Sequence, residues 1–229
     1  MMASLQPQPL PIEQVKRMNI VLIGASGYVG AALLKEALAR GHRVTAIVSH
    51  PARLAPQPGL EAVKADVLDA AALAAQLPGH DALVSAFSGH AQADVRGYYV
   101  TGMRSIIAAA KQARVPRLLV VGGAGSLEVA PGVQLVDTAE FPAAWKGTAE
   151  GARDALTLLR DEAELDWTML SPSAYLEPGQ RTGRFRLGID QLLVDAQGES
   201  RISLEDYAVA MIDELERPAH SRRRFTVGY

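Results

Sequence analysis

Three glycines, Gly24, Gly27 and Gly30, punctuate the stretch Gly24-Ala25-Ser26-Gly27-Tyr28-Val29-Gly30, which lies between an apolar run and an amphipathic one. Asn19 to Ile23 is short, apolar and ends in glycine, whereas Tyr28 to Arg40 carries apolar residues at helical spacing until Gly41 stops it. Arg43 to Val48 is β-branched and apolar, so the segment reads as a strand, tight turn, helix and strand of about 30 residues with its two strands parallel neighbours. In such a unit Gly24 makes the tight turn, Gly27 lets backbone N–H groups approach a pyrophosphate, and Gly30 allows the helix to pack close to the sheet. The helix amino end adds partial positive charge. Glycines at this spacing occur in many turns, and it is the strand before and the helix after that give them weight. Gly24, Ser26, Gly27, Tyr28, Val29 and Gly30 are therefore candidate cofactor-binding residues, the alternative being a tight turn with no ligand.

The alternation continues. Glu61 to Lys64 reads as a third strand, Asp69 to Gln76 as a helix, Ala82 to Ala86 as a strand and Ala93 to Arg114 as a long helix. Leu118 to Val121 is a strand, Thr148 to Glu164 a helix and Trp167 to Leu170 another strand, with Leu204 to Glu216 and Phe225 to Val227 as a last helix and strand. Alternation this regular predicts an α/β fold: a Rossmann-type doubly wound parallel sheet in three layers. The pattern breaks after Ala174, and the segment from about Tyr175 to Leu193 is expected to cap the carboxyl edge of the sheet. Residues 18–229 are read as one domain, with 175–229 completing its substrate side as a small C-terminal capping region. Residues 1–17, rich in proline and glutamine, are read as a flexible extension, with an ordered arm as the alternative.

The chain has 229 residues and a net charge of −2, which gives no polyanion-binding surface and points away from nucleic acid. Arg222-Arg223-Arg224 is read as a solvated turn. There is no cysteine, so disulfides, thiolate metal sites and cysteine nucleophiles are excluded together, and a reducing cytoplasm is the expected location. No apolar stretch approaches the roughly 20 residues needed to span a bilayer, so no membrane association is expected. His42, His50, His80, His90 and His220 are scattered without metal-ligand spacing, and no metal site is expected. Asp161, Glu162 and Glu164 read as solvated charge on one helix surface.

Which dinucleotide is bound is decided after the second strand, where an acidic residue would hold the adenine-ribose hydroxyls of NAD. Here Val48 is followed by Ser49-His50-Pro51-Ala52-Arg53, without a carboxylate. The hydroxyl, imidazole and guanidinium of Ser49, His50 and Arg53 could instead receive a 2′-phosphate, which favours NADP(H) over NAD(H). The alternative for His50 and Arg53 is an exposed turn without ligand.

The glycine spacing GxxGxxG, Ala65-Asp66-Val67 after the third strand, Val84-Ser85-Ala86-Phe87 at the fourth, and Gly122-Gly123-Ala124-Gly125-Ser126 after the fifth together resemble the atypical short-chain dehydrogenase/reductases. Within them the chain is most similar to bacterial NADH-flavin reductase-like proteins, relatives of the NmrA-like and biliverdin reductase B-like proteins, from Met18 to Tyr229. The resemblance implies a Rossmann domain, a reduced nicotinamide cofactor and an aromatic or quinoid acceptor. By position it implies that Asp66 and Val67 flank the adenine, that Ser85, Ala86 and Phe87 line the ribose and nicotinamide route, and that Ser173 lies beside the nicotinamide. Asp66 has an alternative role as a turn cap, and Phe87 as a core residue.

Short-chain dehydrogenases that reduce carbonyls place a tyrosine four residues before a lysine, so that the phenol can protonate an alkoxide. Here Tyr28, Tyr98, Tyr99, Tyr175 and Tyr207 are followed at that distance by Ala32, Gly102, Met103, Gly179 and Met211. A flavin or quinone needs no such acid, because its conjugated ring delocalises the charge that hydride brings. The candidate acceptor-side residues are Trp145 and Tyr175, which could stack on a flat ring, Lys146, and Ser126 as a hydrogen-bonding group. The expectation is an NAD(P)H-dependent oxidoreductase passing hydride to a flavin, quinone or similar flat small molecule. Its alternative is a non-catalytic NADP(H)-binding redox sensor of the NmrA-like kind.

Overall fold

The computed structural model describes residues 16–89 and 92–229; most of the N-terminal extension, and His90, lie outside them. The chain forms β1 (Asn19–Ile23), α1 (Tyr28–Ala39), β2 (Arg43–Val48), β3 (Leu60–Lys64), α2 (Ala70–Ala74), β4 (Ala82–Ser85), α3 (Val95–Ala113) and β5 (Leu118–Val121). Then come β6 (Glu128–Ala130), β7 (Val133–Gln134), α4 (Ala143–Arg160), β8 (Trp167–Ser171), β9 (Tyr175–Glu177), β10 (Arg186–Gly188), β11 (Arg201–Ser203), α5 (Leu204–Glu216) and β12 (Arg223–Gly228).

The central sheet has 8 strands in the order β10-β12-β8-β5-β4-β1-β2-β3. Every neighbouring pair is parallel except β10 with β12. Both faces are covered. On one, α1 and α5 pack Leu33, Leu34, Tyr207 and Met211 against Ile20, Leu22, Val44 and Val84. On the other, α2, α3 and α4 pack Leu73, Met103, Ile106 and Leu156 against Val21, Ile23, Leu83 and Val120. Burial on both faces is why β1, β4 and β5 read as continuous apolar runs rather than alternating ones. This is the doubly wound, three-layer sheet that the alternation predicts.

Local signals set the helix limits. Asp69 caps α2 by accepting from Ala71 N and Ala72 N, Asp94 caps α3 through Gly97 N, and Ser203 caps α5 through Asp206 N. The fourth helix begins at Ala143, directly after Pro142, rather than at Thr148. It ends at Arg160, so the carboxylates beyond it are not a helix face: Glu162 and Glu164 clamp the Lys111 ammonium at 3.2 and 2.6 Å. The arginine run is a solvated turn only in part: Arg222 is exposed in the turn before β12 and Arg223 is exposed at its start. Arg223 and Arg224 belong to β12, and Arg224 is buried.

After β8 the chain forms a short parallel pair, β9 with β11, and β10 joins the edge of the main sheet. No helix among the described residues is long and apolar enough to cross a membrane, and no group of side chains among them could hold a metal ion.

Candidate functional site

The order of strands reverses between β1 and β4, where Ile23 pairs with Ser85. Strands β2 and β3 extend the sheet to one side and β5, β8 and β12 to the other, so the loops leaving β1 and β4 diverge and leave a crevice. These loops touch. Gly24 has φ +78° and its Cα is so close to the next loop that a Cβ there would lie 2.6 Å from the Ala86 carbonyl oxygen. Gly24 N donates to Ile47 O at 3.0 Å and Ala86 N to Ile23 O at 3.0 Å, which fixes both loops to the strands.

The turn then closes on itself. Gly27 N donates to Gly24 O and Ala31 N to Gly27 O, both at 2.9 Å. A Cβ on Gly30 would lie 2.0 Å from the Gly24 oxygen, and one on Gly27 would lie 3.2 Å from it. Gly27 caps α1 without a side-chain hydrogen bond, and the first helical turn contains no acid. The opening N–H groups of a helix thus face an open crevice with no side-chain acceptor among the described residues, and a pyrophosphate fits that donor set. Ser26 and Tyr28 are exposed beside it, Val29 is half-buried and Gly30 is buried.

Past β2, Ser49 and His50 are exposed and hydrogen-bonded to each other, Oγ to Nδ1, at 3.0 Å. Arg53 sits in a 3-10 turn, Pro51–Arg53. Between that turn and α1 runs a cleft of 640 Å³ lined by Ser26, Lys35, Leu38, Arg53, Leu54 and Pro58 among others, with no carboxylate among the described residues of its wall. Lys35 was not legible as a site residue, since nothing in the sequence shows that the exposed face of α1 meets the turn carrying Arg53. Asp66 is exposed and its carboxylate accepts from Leu68 N at 2.9 Å, which makes it a turn cap; Val67 packs against the core.

At the end of β4, Ser85 is buried and accepts from Phe87 N at 3.4 Å. Phe87 is half-buried, its ring 5.4 Å from that of Tyr98 and 6.0 Å from that of Tyr99. It also presses on Gly102, where a Cβ would come within 2.1 Å of the ring. The phenylalanine side chain therefore packs against α3, while its backbone neighbour Ala86 meets Gly24.

The acceptor-side candidates, with Ser173 of the nicotinamide side, divide into two groups. Ser126 is buried in a 3-10 turn, Ala124–Ser126, and accepts from Arg224 Nη1 at 3.3 Å. Arg224 also donates to Asp190 through Nε at 2.9 Å and Nη2, and reaches Ser171 at 3.5 Å. Burial lowers the guanidinium pKa from its ordinary value, with Asp190 opposing that effect. Ser173 is buried and donates to Val227 O at 2.9 Å. Trp145, Lys146 and Tyr175, by contrast, are exposed in the first turn of α4 and at the start of β9, with Trp145 at 58% and Tyr175 at 63%. Two tyrosines are committed elsewhere: Tyr99 donates to Val121 O at 3.2 Å and Tyr207 to Leu170 O at 2.7 Å, and burial raises the pKa of both.

With this geometry in place, a family model described as NAD(P)H-binding matches residues 24–218. The chain belongs to the NAD(P)H-binding family. It is similar to the uncharacterized Bacillus subtilis protein YwnB, 43% identical over 213 residues that cover 92% of this chain and 98% of that one. Among solved structures it resembles a proposed epimerase from Bacteroides thetaiotaomicron, with 46% identity, a TM-score of 0.88 and coverage of 93% and 98%. It also resembles a proposed NADH-flavin reductase from Streptococcus pneumoniae, with 33% identity, a TM-score of 0.79 and coverage of 92% and 99%. Family membership and the geometry of the Gly24–Gly30 turn agree on an oxidoreductase-like NAD(P)H-binding fold.

Proposed function

We propose that this family member is an NADPH-dependent reductase that passes hydride to a flavin, a quinone or a similar flat ring. The observation that carries the reading is a nucleotide cradle at the β1–β4 crossing with no tyrosine–lysine acid pair beside it among the described residues. The phenols of Tyr99 and Tyr207 donate to backbone carbonyls inside the protein, so neither is free to protonate an alkoxide. An acceptor whose ring delocalises incoming charge takes its proton from water and needs positioning above all.

When bound, the nicotinamide supplies a hydride, two electrons with one proton, and is left oxidised. The chain supplies the rest. Gly24, Gly27 and Gly30 admit the pyrophosphate to the helix amino end, with Ser26, Tyr28 and Val29 lining the turn. Ala86 and Phe87 form the opposite lip of the crevice, over Ser85. Asp66 and Val67 bound the adenine side.

Arg53, with Lys35 in the same cleft and Ser49 and His50 just before its turn, favours a 2′-phosphate, and no described residue of the cleft wall is a carboxylate. Ser126, held by Arg224, shapes the acceptor wall, and Ser173, held by Val227, lies on the nicotinamide side. Trp145, Lys146 and Tyr175, all exposed, are the groups offered for contact with a ring.

The test is nicotinamide oxidation by the saturated protein with flavin mononucleotide and with a small benzoquinone. Saturable turnover above the protein-free rate supports the reading. Tight NADPH binding with no turnover on either acceptor overturns it.

A further inference from the structure

Tyr28 belongs to the cofactor turn, yet its hydroxyl leaves it. It donates to the carbonyl oxygen of Leu176 at 3.3 Å, across 148 residues of sequence. Leu176 lies in β9 directly after Tyr175, the exposed aromatic of the acceptor side. We propose that Tyr28 is a positioning residue that couples a dinucleotide seated on the Gly24–Gly30 turn to the placement of Tyr175.

The segment that follows β9 is fastened to the body of the protein at several points. Arg181 forms a two-pronged pair with Glu36 of α1, both contacts at 2.8 Å. Gly179 N donates to Glu205 at 2.9 Å, and Thr182 N and Gly183 N donate to the buried Asp206 at 2.8 Å. These contacts hold its far end to α1 and α5. The near end is held by β11, with Tyr175 opposite Arg201 and Tyr175 N donating to Ser200 O at 2.9 Å. Tyr28 adds a tie from the cofactor turn to that near end.

Tyr28 is the first residue of α1, where backbone N–H groups meet the pyrophosphate. Ordering that turn orders the Tyr28 Cα, and an aromatic side chain has only two torsions between Cα and its ring. A ligand on the turn therefore restrains the Leu176 carbonyl and, through one peptide unit, the Tyr175 side chain. Cofactor binding thus prepares the acceptor wall, and the acceptor is bound second.

This inference rests in part on the reductase reading, so its test has a readout that does not need turnover. Tyr28→Phe removes one exposed hydroxyl and keeps the ring. In the unaltered protein, saturating NADPH slows amide hydrogen exchange across residues 174–177 by about three- to tenfold, the range of one such hydrogen bond. In the variant, likewise saturated with NADPH, that added protection is absent and the KM for the acceptor rises by about three- to tenfold. Full protection in the variant overturns the inference. Absence of turnover in the unaltered protein would sink the reductase reading alone, and the exchange measurement would still decide the role of Tyr28.

Discussion

The carbonyl oxygen of Gly24 occupies the space where a side chain on residue 30 would begin, 2.0 Å from an ideal Cβ on Gly30. Helix α1 can approach the strand end that closely only with glycine there, and the same approach points its amino end at the crevice. Gly30→Ala must push the turn carbonyl aside. The expected cost is about 2 kcal/mol of stability, as for other overpacked sites, with NADPH affinity weakened by at least about tenfold. Thermal unfolding and cofactor titration check both, and an alanine variant that binds as tightly as the parent contradicts the account of the turn.

Arg53 and Lys35 line one cleft with no carboxylate among the described residues of its wall. Arg53→Ala is expected to weaken NADPH by about tenfold or more, the range of a charge-assisted hydrogen bond to phosphate, and to leave NADH affinity unchanged. Lys35→Ala acts in the same direction with smaller effect. Paired titrations with the two cofactors measure the discrimination, and an equal loss for both would remove the 2′-phosphate assignment.

Arg224 and Asp190 form an uneven pair, their side chains 2% and 39% exposed. Removing the carboxylate leaves a buried guanidinium without its counter-charge, whereas removing the guanidinium leaves a carboxylate that water can reach. Asp190→Asn is therefore expected to cost about 2 kcal/mol, discounted from the fully buried case for exposure of the acid, and Arg224→Met less. Urea unfolding of the two variants gives the order, and the reverse order would contradict it.

Acid should unfold this protein through its buried carboxylates. Burial pushes the Glu214 carboxyl up, but His220, the amides of His220 and Ala219, and Arg117 together hold it below its usual value of 4.5. Glu36 and Glu216 are lowered in the same way, against their own burial, by Arg181, Arg40 and His42. A carboxylate lowered in the fold contributes stability that is complete above its unfolded pKa and is lost as pH falls through the folded value. Stability to urea is expected to lose this contribution below about pH 4.5, and Glu214→Gln to make the loss shallower. An unchanged acid slope in that variant would count against Glu214.

The half of the fold that holds the nucleotide was legible because its signals are local. Period, β-branching and glycine placement give β1, α1 and β2 with α1 ending one residue earlier than the periodicity predicts. The acceptor side was not, because its elements are short and are defined by partners far away. Strands β9 and β11 have three residues each and make sense only as a pair, and β10 exists because β12 lies beside it. Arg224 follows two other arginines, and only the alternation of β12 turns it inward to an aspartate 34 residues distant. Lys35 was hidden for a similar reason, as a surface lysine becomes a cleft residue only when a distant turn folds against its helix.

The central claim, hydride transfer from a nicotinamide held on the Gly24–Gly30 turn, is tested most directly by single turnover. The protein is saturated with NADPH deuterated at both C4 positions, then mixed with a benzoquinone, and the nicotinamide absorbance is followed beside that of the undeuterated cofactor. The account predicts a single decay well above the protein-free rate and slower with deuterium. A decay equal to the protein-free rate, with the cofactor demonstrably bound, would contradict it.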